Sequence, residues 1–240
     1  MKKLVKWAII GLAILIGLGT LGVVILSQDK PEGTNTEEAD KLAQKMLSAL
    51  DKDAFDTIKY LQWTFADRNS YLWNKSKNMV IVTMGDEKVL VDLNQVKGKV
   101  LQGDPGKQEE LTNKAWSNWC NDSFWALAPY KVFDPGTERY IIDDEGKKGL
   151  EVKYVSGGVT PGDSYVWFLD ENYIPTGYKM WVKILPIGGT YASWEDWKTL
   201  PSGAKIAQKR KLNVLDLIIS NIKEGKSYQE FGFKEDPFNL

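Results

Sequence analysis

The chain opens with an apolar run and then changes period three times. Trp7 to Leu26 reads WAIIGLAILIGLGTLGVVIL, twenty residues without a charge. As a helix rising about 1.5 Å per residue it would span about 30 Å, the thickness of a bilayer's hydrocarbon core. Gln28 to Thr36 carries Pro, Gly and small polar residues and reads as a linker. Thr34-x-x-Glu37 reads as a capping box that opens a helix. Ala39, Leu42, Ala43, Met46, Leu47 and Leu50 then recur at helical spacing. From Thr57 the period is two. Leu61, Trp63 and Phe65 alternate with polar residues, a turn follows at Ala66-Asp67-Arg68-Asn69, and Tyr71-Leu72-Trp73 continues. Met79–Met84 and Val89–Leu93 predict a hairpin about Gly85-Asp86-Glu87.

Helical spacing returns over Lys107–Asn121, and Phe124, Trp125 and Leu127 form a second short piece that Pro129 stops. After Asp134-Pro135-Gly136 the chain predicts an antiparallel meander. Its strands are Glu138–Asp143, Leu150–Val155, Ser164–Leu169, Gly177–Leu185, Gly189–Trp194, Ala204–Gln208 and roughly Leu212–Ile222. Ten or eleven strands with two or three helical pieces predict an α+β fold built on one large, strongly curved antiparallel sheet. The expected organisation is an anchor over 1–27, a linker over 28–36 and one domain over 37–240.

Composition narrows the chemistry more than it suggests any. With no His, the chain has no His-dependent triad, no His general base and no ordinary catalytic zinc site. One Cys, Cys120, allows no intrachain disulfide and no thiolate cluster. Without a cationic or basic neighbour it reads as a buried, inert thiol. The charge is balanced, 31 basic residues against 32 acidic, and gives no footprint for nucleic acid. No cofactor or metal is expected.

The apolar run is longer than a signal peptide's core and ends in Val23-Val24-Ile25-Leu26, where cleavage wants small residues. A retained anchor is therefore expected, with cleavage near Thr20-Leu21-Gly22 as the alternative. Lys2, Lys3 and Lys6 would hold the amino end in the cytoplasm and place the rest outside it.

Aromatic residues are the anomaly: ten Trp, ten Tyr and eight Phe. Several fall on alternating strand positions, as a sheet lining an apolar cavity requires. The competing reading is a closed aromatic core. Asp143-Asp144-Glu145-Gly146 offers paired carboxylates to a hydrolase, but between two strands it reads as a solvated turn. Lys209-Arg210-Lys211 reads as a solvated strand end.

Certain stretches, in their order, resemble a known group. They are Tyr71-Leu72-Trp73-Asn74, Asn121-Asp122-Ser123-Phe124-Trp125 with Ala128-Pro129, Phe133-Asp134-Pro135-Gly136, Trp194-Glu195-Asp196-Trp197 with Leu200-Pro201-Ser202-Gly203-Ala204-Lys205-Ile206, and the ending Gly225-x5-Phe231-Gly232-Phe233-Lys234. Together they resemble the LolA/LolB-like, outer-membrane lipoprotein-sorting superfamily of bacteria. The resemblance implies a half-open β-barrel with covering helices and an apolar cavity for acyl chains. On it, the expected function is a non-enzymatic, periplasm-facing binding protein, held in the inner membrane, for a lipid or acylated ligand. Leu61, Trp63, Phe65, Trp73, Trp167 and Met180 are the expected lining, and Arg68 the expected contact to a lid. The alternative is an envelope interaction module with no ligand. A soluble periplasmic form would follow from cleavage.

Overall fold

The computed structural model describes residues 27–34, 37–156, 160–213 and 215–240. The expected membrane span over Trp7–Leu26 lies outside the described residues. Among those that are described, no helix is long and apolar enough to cross a membrane.

The fold is α+β with large antiparallel sheets and few helices. Helices α1 (Glu37–Ala49) and α2 (Lys52–Thr57) come first. Five strands follow: β1 (Tyr60–Phe65), β2 (Asn69–Asn74), β3 (Met79–Met84), β4 (Glu87–Asp92) and β5 (Lys97–Gln102). Helix α3 (Gln108–Leu127) precedes the second group, β6 (Thr137–Asp144), β7 (Lys147–Tyr154), β8 (Ser164–Leu169), β9 (Pro175–Trp181) and β10 (Thr190–Ser193). The last strands are β11 (Glu195–Thr199), β12 (Lys205–Leu212) and β13 (Leu215–Gly225).

The single curved sheet predicted from sequence is two sheets. One has eight strands in the order β11-β12-β13-β1-β2-β3-β4-β5, the other five in the order β10-β9-β8-β7-β6. The chain passes from one to the other at Trp194, between β10 and β11. There Ser193 Oγ accepts from the backbone N–H of Lys211 at 2.9 Å, so the sheets meet along β10 and β12. Strands β5 and β11 escape a pattern search because Lys97-Gly98-Lys99 and Glu195-Asp196-Trp197-Lys198 show no apolar alternation. Each is the terminal strand of the eight-stranded sheet, and charged residues there discourage pairing with another chain.

Two helical pieces were expected before Pro129; the structure has one twenty-residue helix, continued by a 3-10 turn over Ala128–Lys131. Proline is tolerated there because it falls in the first turn of the 3-10 segment, where no helical acceptor is needed. The amino-terminal half of α3 lies against β5. A Cβ at Gly98 would stand 2.4 Å from Thr112 Oγ1 and 2.9 Å from the Leu90 carbonyl. Only glycine lets α3 approach that closely.

Both sheets, α1 and α3 contribute to one apolar cluster, which runs from Leu61 and Trp63 to Trp167, Met180 and Ile219. The outer faces are covered by the ends of the described chain. Leu72, Ile81 and Leu90, on the outer face of the eight-stranded sheet, pack on Phe238 of the carboxy-terminal tail, which Lys77 ties down through Asp236 at 2.8 Å.

Residues 28–34, the described part of the expected linker, lie with Ser27 across the five-stranded sheet's outer face. Gln28 N donates to the Gly188 carbonyl (3.0 Å), and Thr34 pairs with Ile141 in both directions (2.9 and 3.0 Å). Gly33 lies so flat on the sheet that a Cβ would be 2.7 Å from both Ile142 and Tyr140. Between these points Lys30 reaches Glu151 at 2.6 Å. Glu151 is 2% exposed and also accepts from Ser164 Oγ.

A buried carboxylate that loses its cation keeps the cost of burial. Lys30→Ala should therefore lower stability by about 1–3 kcal/mol, discounted because Lys30 itself is partly solvated. Thermal unfolding followed by circular dichroism should show a midpoint several degrees lower. An unchanged midpoint would mean the strap carries no load.

Candidate functional site: an aromatic interior clasped by one helix

Strand register decides which aromatic rings face inward. Between β1 and β2, Leu61 stands opposite Trp73 and Trp63 opposite Tyr71. Leu61, Trp63, Phe65, Tyr71 and Trp73 thus share one face. Between β8 and β9, Tyr165 stands opposite Met180 and Trp167 opposite Tyr178, which puts these four on one face as well. All six residues expected as lining lie in the common interior, five buried and Trp73 half-buried.

These rings touch one another. Trp63 stacks on Tyr71 with centroids 5.2 Å apart, and Trp167 meets Tyr178 at 4.8 Å and Trp194 at 4.9 Å, edge to face. Helix α3 joins the two sets. Its Trp119 meets Trp63 and Trp73, each at 5.3 Å, while Phe124 meets Tyr165 at 4.5 Å and Trp125 meets Tyr178 at 5.9 Å. Three outer clefts, of about 580, 880 and 580 Å³, are lined by other residues.

Two buried charges hold α3 in place. Asp122, on its inner side, accepts from Tyr71 Oη at 2.5 Å and from Asn69 Nδ2 at 2.9 Å, both on β2, and from Asn121 Nδ2 at 2.7 Å. Burial, followed by the adjacent Asp122 carboxylate, drives the Tyr71 hydroxyl far above its ordinary pKa, so it stays a donor.

Arg210 on β12 is the second, and it corrects the solvated reading of Lys209-Arg210-Lys211. Arg210 is fully buried. A strand sends alternate residues to opposite faces, so three consecutive charges cannot all meet solvent. Lys209 pairs outside with Asp216 at 3.1 Å and Lys211 is exposed, while Arg210 points in.

The Arg210 guanidinium lies 3.5 Å from the centroid of the Trp194 ring. Its Nη2 donates to the Trp125 carbonyl at 2.7 Å and its Nη1 to the Lys209 carbonyl at 3.1 Å. Trp125 lies in the last turn of α3, where the carbonyls carry the helix's partial negative charge. Burial pulls the guanidinium pKa below its ordinary range, to about 9, which still leaves it charged at neutral pH. The arginine bonded to α3 is thus Arg210. Arg68, the expected lid contact, is exposed in the β1–β2 turn.

Five buried hydrogen-bond donors in this interior have no protein acceptor: Trp63 Nε1, Trp73 Nε1, Trp194 Nε1, Tyr178 Oη and Arg210 Nε. Three of them come from residues that adjoin one another, since the Tyr178 and Trp194 rings are 5.9 Å apart and Arg210 lies on Trp194. Burial pushes the Tyr178 hydroxyl well above its ordinary range, so it too remains protonated.

The remaining candidates fall elsewhere. Asp143 accepts from Gly146 N at 2.6 Å in the β6–β7 turn, and Asp144 pairs with Lys179 at 2.7 Å; adjacent strand positions put the two carboxylates on opposite faces. Burial raises the pKa of half-buried Cys120 and quiets its thiol. Among the described residues no cluster of His, Cys, Asp or Glu is placed to hold a metal.

Lys75, at the end of β2, donates to the Phe55 carbonyl and lies over the Phe55 ring at 3.9 Å and the Trp73 ring at 5.6 Å. Burial lowers its pKa from 10.5 to about 8.

No family model matches the chain, and no curated protein matches it. Among solved structures, a DUF1329 family protein from Desulfovibrio piger ATCC 29098 is similar at a TM-score of 0.41 and 11% sequence identity. The match covers 82% of this chain and 97% of that one. So distant a likeness leaves the site to be argued from this chain's own residues.

Two outcomes follow from these contacts. Asp122→Ala strands the Tyr71 hydroxyl and the Asn69 amide without their shared acceptor, and should cost about 3–5 kcal/mol in urea unfolding. Tyr71→Phe removes one donor and should cost only about 1–2 kcal/mol. Equal losses would place the clasp elsewhere. For Lys75, the folded chain releases its proton near pH 8 while the unfolded chain keeps it to about 10.5. Stability should therefore rise between those values, relative to Lys75→Met, and the burial penalty should be present in full below pH 8. A difference curve flat over that window would contradict the assignment.

Proposed function

We propose that this is a non-catalytic binding protein, anchored by its amino-terminal apolar run, that takes an amphiphilic ligand into the interior between its two sheets. Acyl chain and ring surface would supply the affinity, at about 0.8 kcal/mol per buried CH₂. One observation carries the reading: five donors without an acceptor, three from adjoining residues, among the interior's aromatic rings. A core closed for good leaves few such groups unpaired. A ligand with ester, carboxyl or phosphate oxygens on an acyl chain matches both kinds of surface. For it to enter, α3 must move, and the helix is held by discrete polar contacts that can be exchanged.

The ring-to-ring contacts favour a second reading, an interaction module of the cell envelope whose interior stays filled. One titration separates the two. Full-length chain carrying Trp7→Phe, in a non-ionic detergent, is titrated with 9,10-dibromostearate while tryptophan emission is followed. Binding predicts saturable quenching of the interior rings that unbrominated stearate reverses. Quenching that neither saturates nor is competed would leave the closed module.

A further inference from the structure

We infer that the β9–β10 loop, residues 182–189, rests in the headgroup layer of the bilayer that holds the chain, so that the five-stranded sheet stands with this end on the membrane. The inference rests on the anchored reading of Trp7–Leu26 and adds the orientation of the domain.

Chain length is the first argument. Ser27 directly follows the apolar run, and both it and Gln28 are bonded to this loop. Gly188 N donates to Ser27 Oγ at 3.0 Å, Gln28 N to the Gly188 carbonyl at 3.0 Å, and Trp181 Nε1 to the Gln28 carbonyl at 2.8 Å. A chain advances at most about 3.6 Å per residue, so Gln28 cannot lie more than about 7 Å from Leu26. The headgroup layer beyond the hydrocarbon is itself about 5–8 Å deep on each side. If the run ends at the hydrocarbon boundary, the Gly188 end of the loop is within that layer.

The loop's composition is the second argument. It reads Val182-Lys183-Ile184-Leu185-Pro186-Ile187-Gly188-Gly189. Ile184 is 70% exposed, the most exposed large apolar residue among those described. Pro186 is exposed and Leu185 and Ile187 are half-exposed beside it. Trp181 brings an indole of the kind that collects at membrane interfaces, and Lys183 a long stem whose ammonium can reach the phosphates.

The tip is also held in shape. Lys183 N donates to Asp163 Oδ1 (3.1 Å), Leu185 N to the Val182 carbonyl (3.1 Å) and Gly189 N to the Met180 carbonyl (3.0 Å). Val182 and Leu185 root the loop in the domain's core, whereas Ile184 at the tip faces outward and has no such folding role.

The test places p-benzoylphenylalanine at position 184 of the full-length chain, or at Leu101 on β5, the far edge strand of the other sheet. Each chain is reconstituted into phosphatidylethanolamine–phosphatidylglycerol vesicles, irradiated and digested. Peptides are then searched for phospholipid adducts by mass spectrometry. Ile184 is solvent-facing, so the replacement leaves the fold intact. Adducts at 184 and none at 101 are expected. A chain that stays with the vesicles through a carbonate wash but gives no lipid adduct at 184, or equal adducts at both positions, overturns the orientation and leaves the anchor standing. Release by carbonate overturns the anchor, and the orientation falls with it.

Discussion

Helix α3 has to be buried on two sides while carrying a polar sequence, and the interior is arranged around that constraint. Asp122 brings a carboxylate into the core, and β2 answers it with a hydroxyl and an amide. The carboxy-terminal end of the helix presents carbonyls, and β12 answers with a guanidinium. The two contact points on the helix, the Asp122 carboxylate and the Trp125 carbonyl, sit three residues apart and are satisfied by different strands of the eight-stranded sheet. Neither contact depends on apolar packing, yet together they fix where Trp119, Phe124 and Trp125 enter the interior. The aromatic contacts are consequences of that placement.

The terminal segments complete the arrangement from outside. A sheet whose inner face is taken up by α3 still has an outer face to cover. Here residues 27–34 serve one sheet and the tail that carries Phe238 the other. The molecule is thus layered twice, with covering segments drawn from opposite ends of the described chain. A strap fixed this tightly makes the domain's attitude to whatever precedes it a structural property.

How far the sequence shows this depends on the period of each segment. The helical spacing of Ala39 to Leu50, the alternation of Leu61, Trp63 and Phe65, and the hairpin at Gly85-Asp86 mark their elements plainly, because each has one apolar face. Strands β5 and β11 have no such face and leave no pattern. The break into two sheets at Trp194 is invisible for a different reason: β10 and β11 are separated by that one residue, and only the strands each pairs with differ. Arg210 was within reach. A charged trio on a strand must send its middle member the other way, and that rule was the signal for the buried cation. The position of α3 could not be read, since it follows from Gly98, Asn69 and Trp194 acting at a distance in the chain.

The place of β13 has a consequence for how the chain comes together. It pairs with β1 on one side and β12 on the other, so the eight-stranded sheet joins its earliest strand to its last. Until the segment ending at Gly225 has been made, β1 presents Tyr60-Leu61-Gln62-Trp63-Thr64-Phe65 as an open edge, alternating, aromatic and uncharged. Such a segment is a template for pairing with another chain. Contacts so distant in sequence also form slowly. A chain emerging in order from its amino terminus therefore carries its most adhesive strand unprotected through most of its synthesis, and its solubility in that interval depends on whatever holds it.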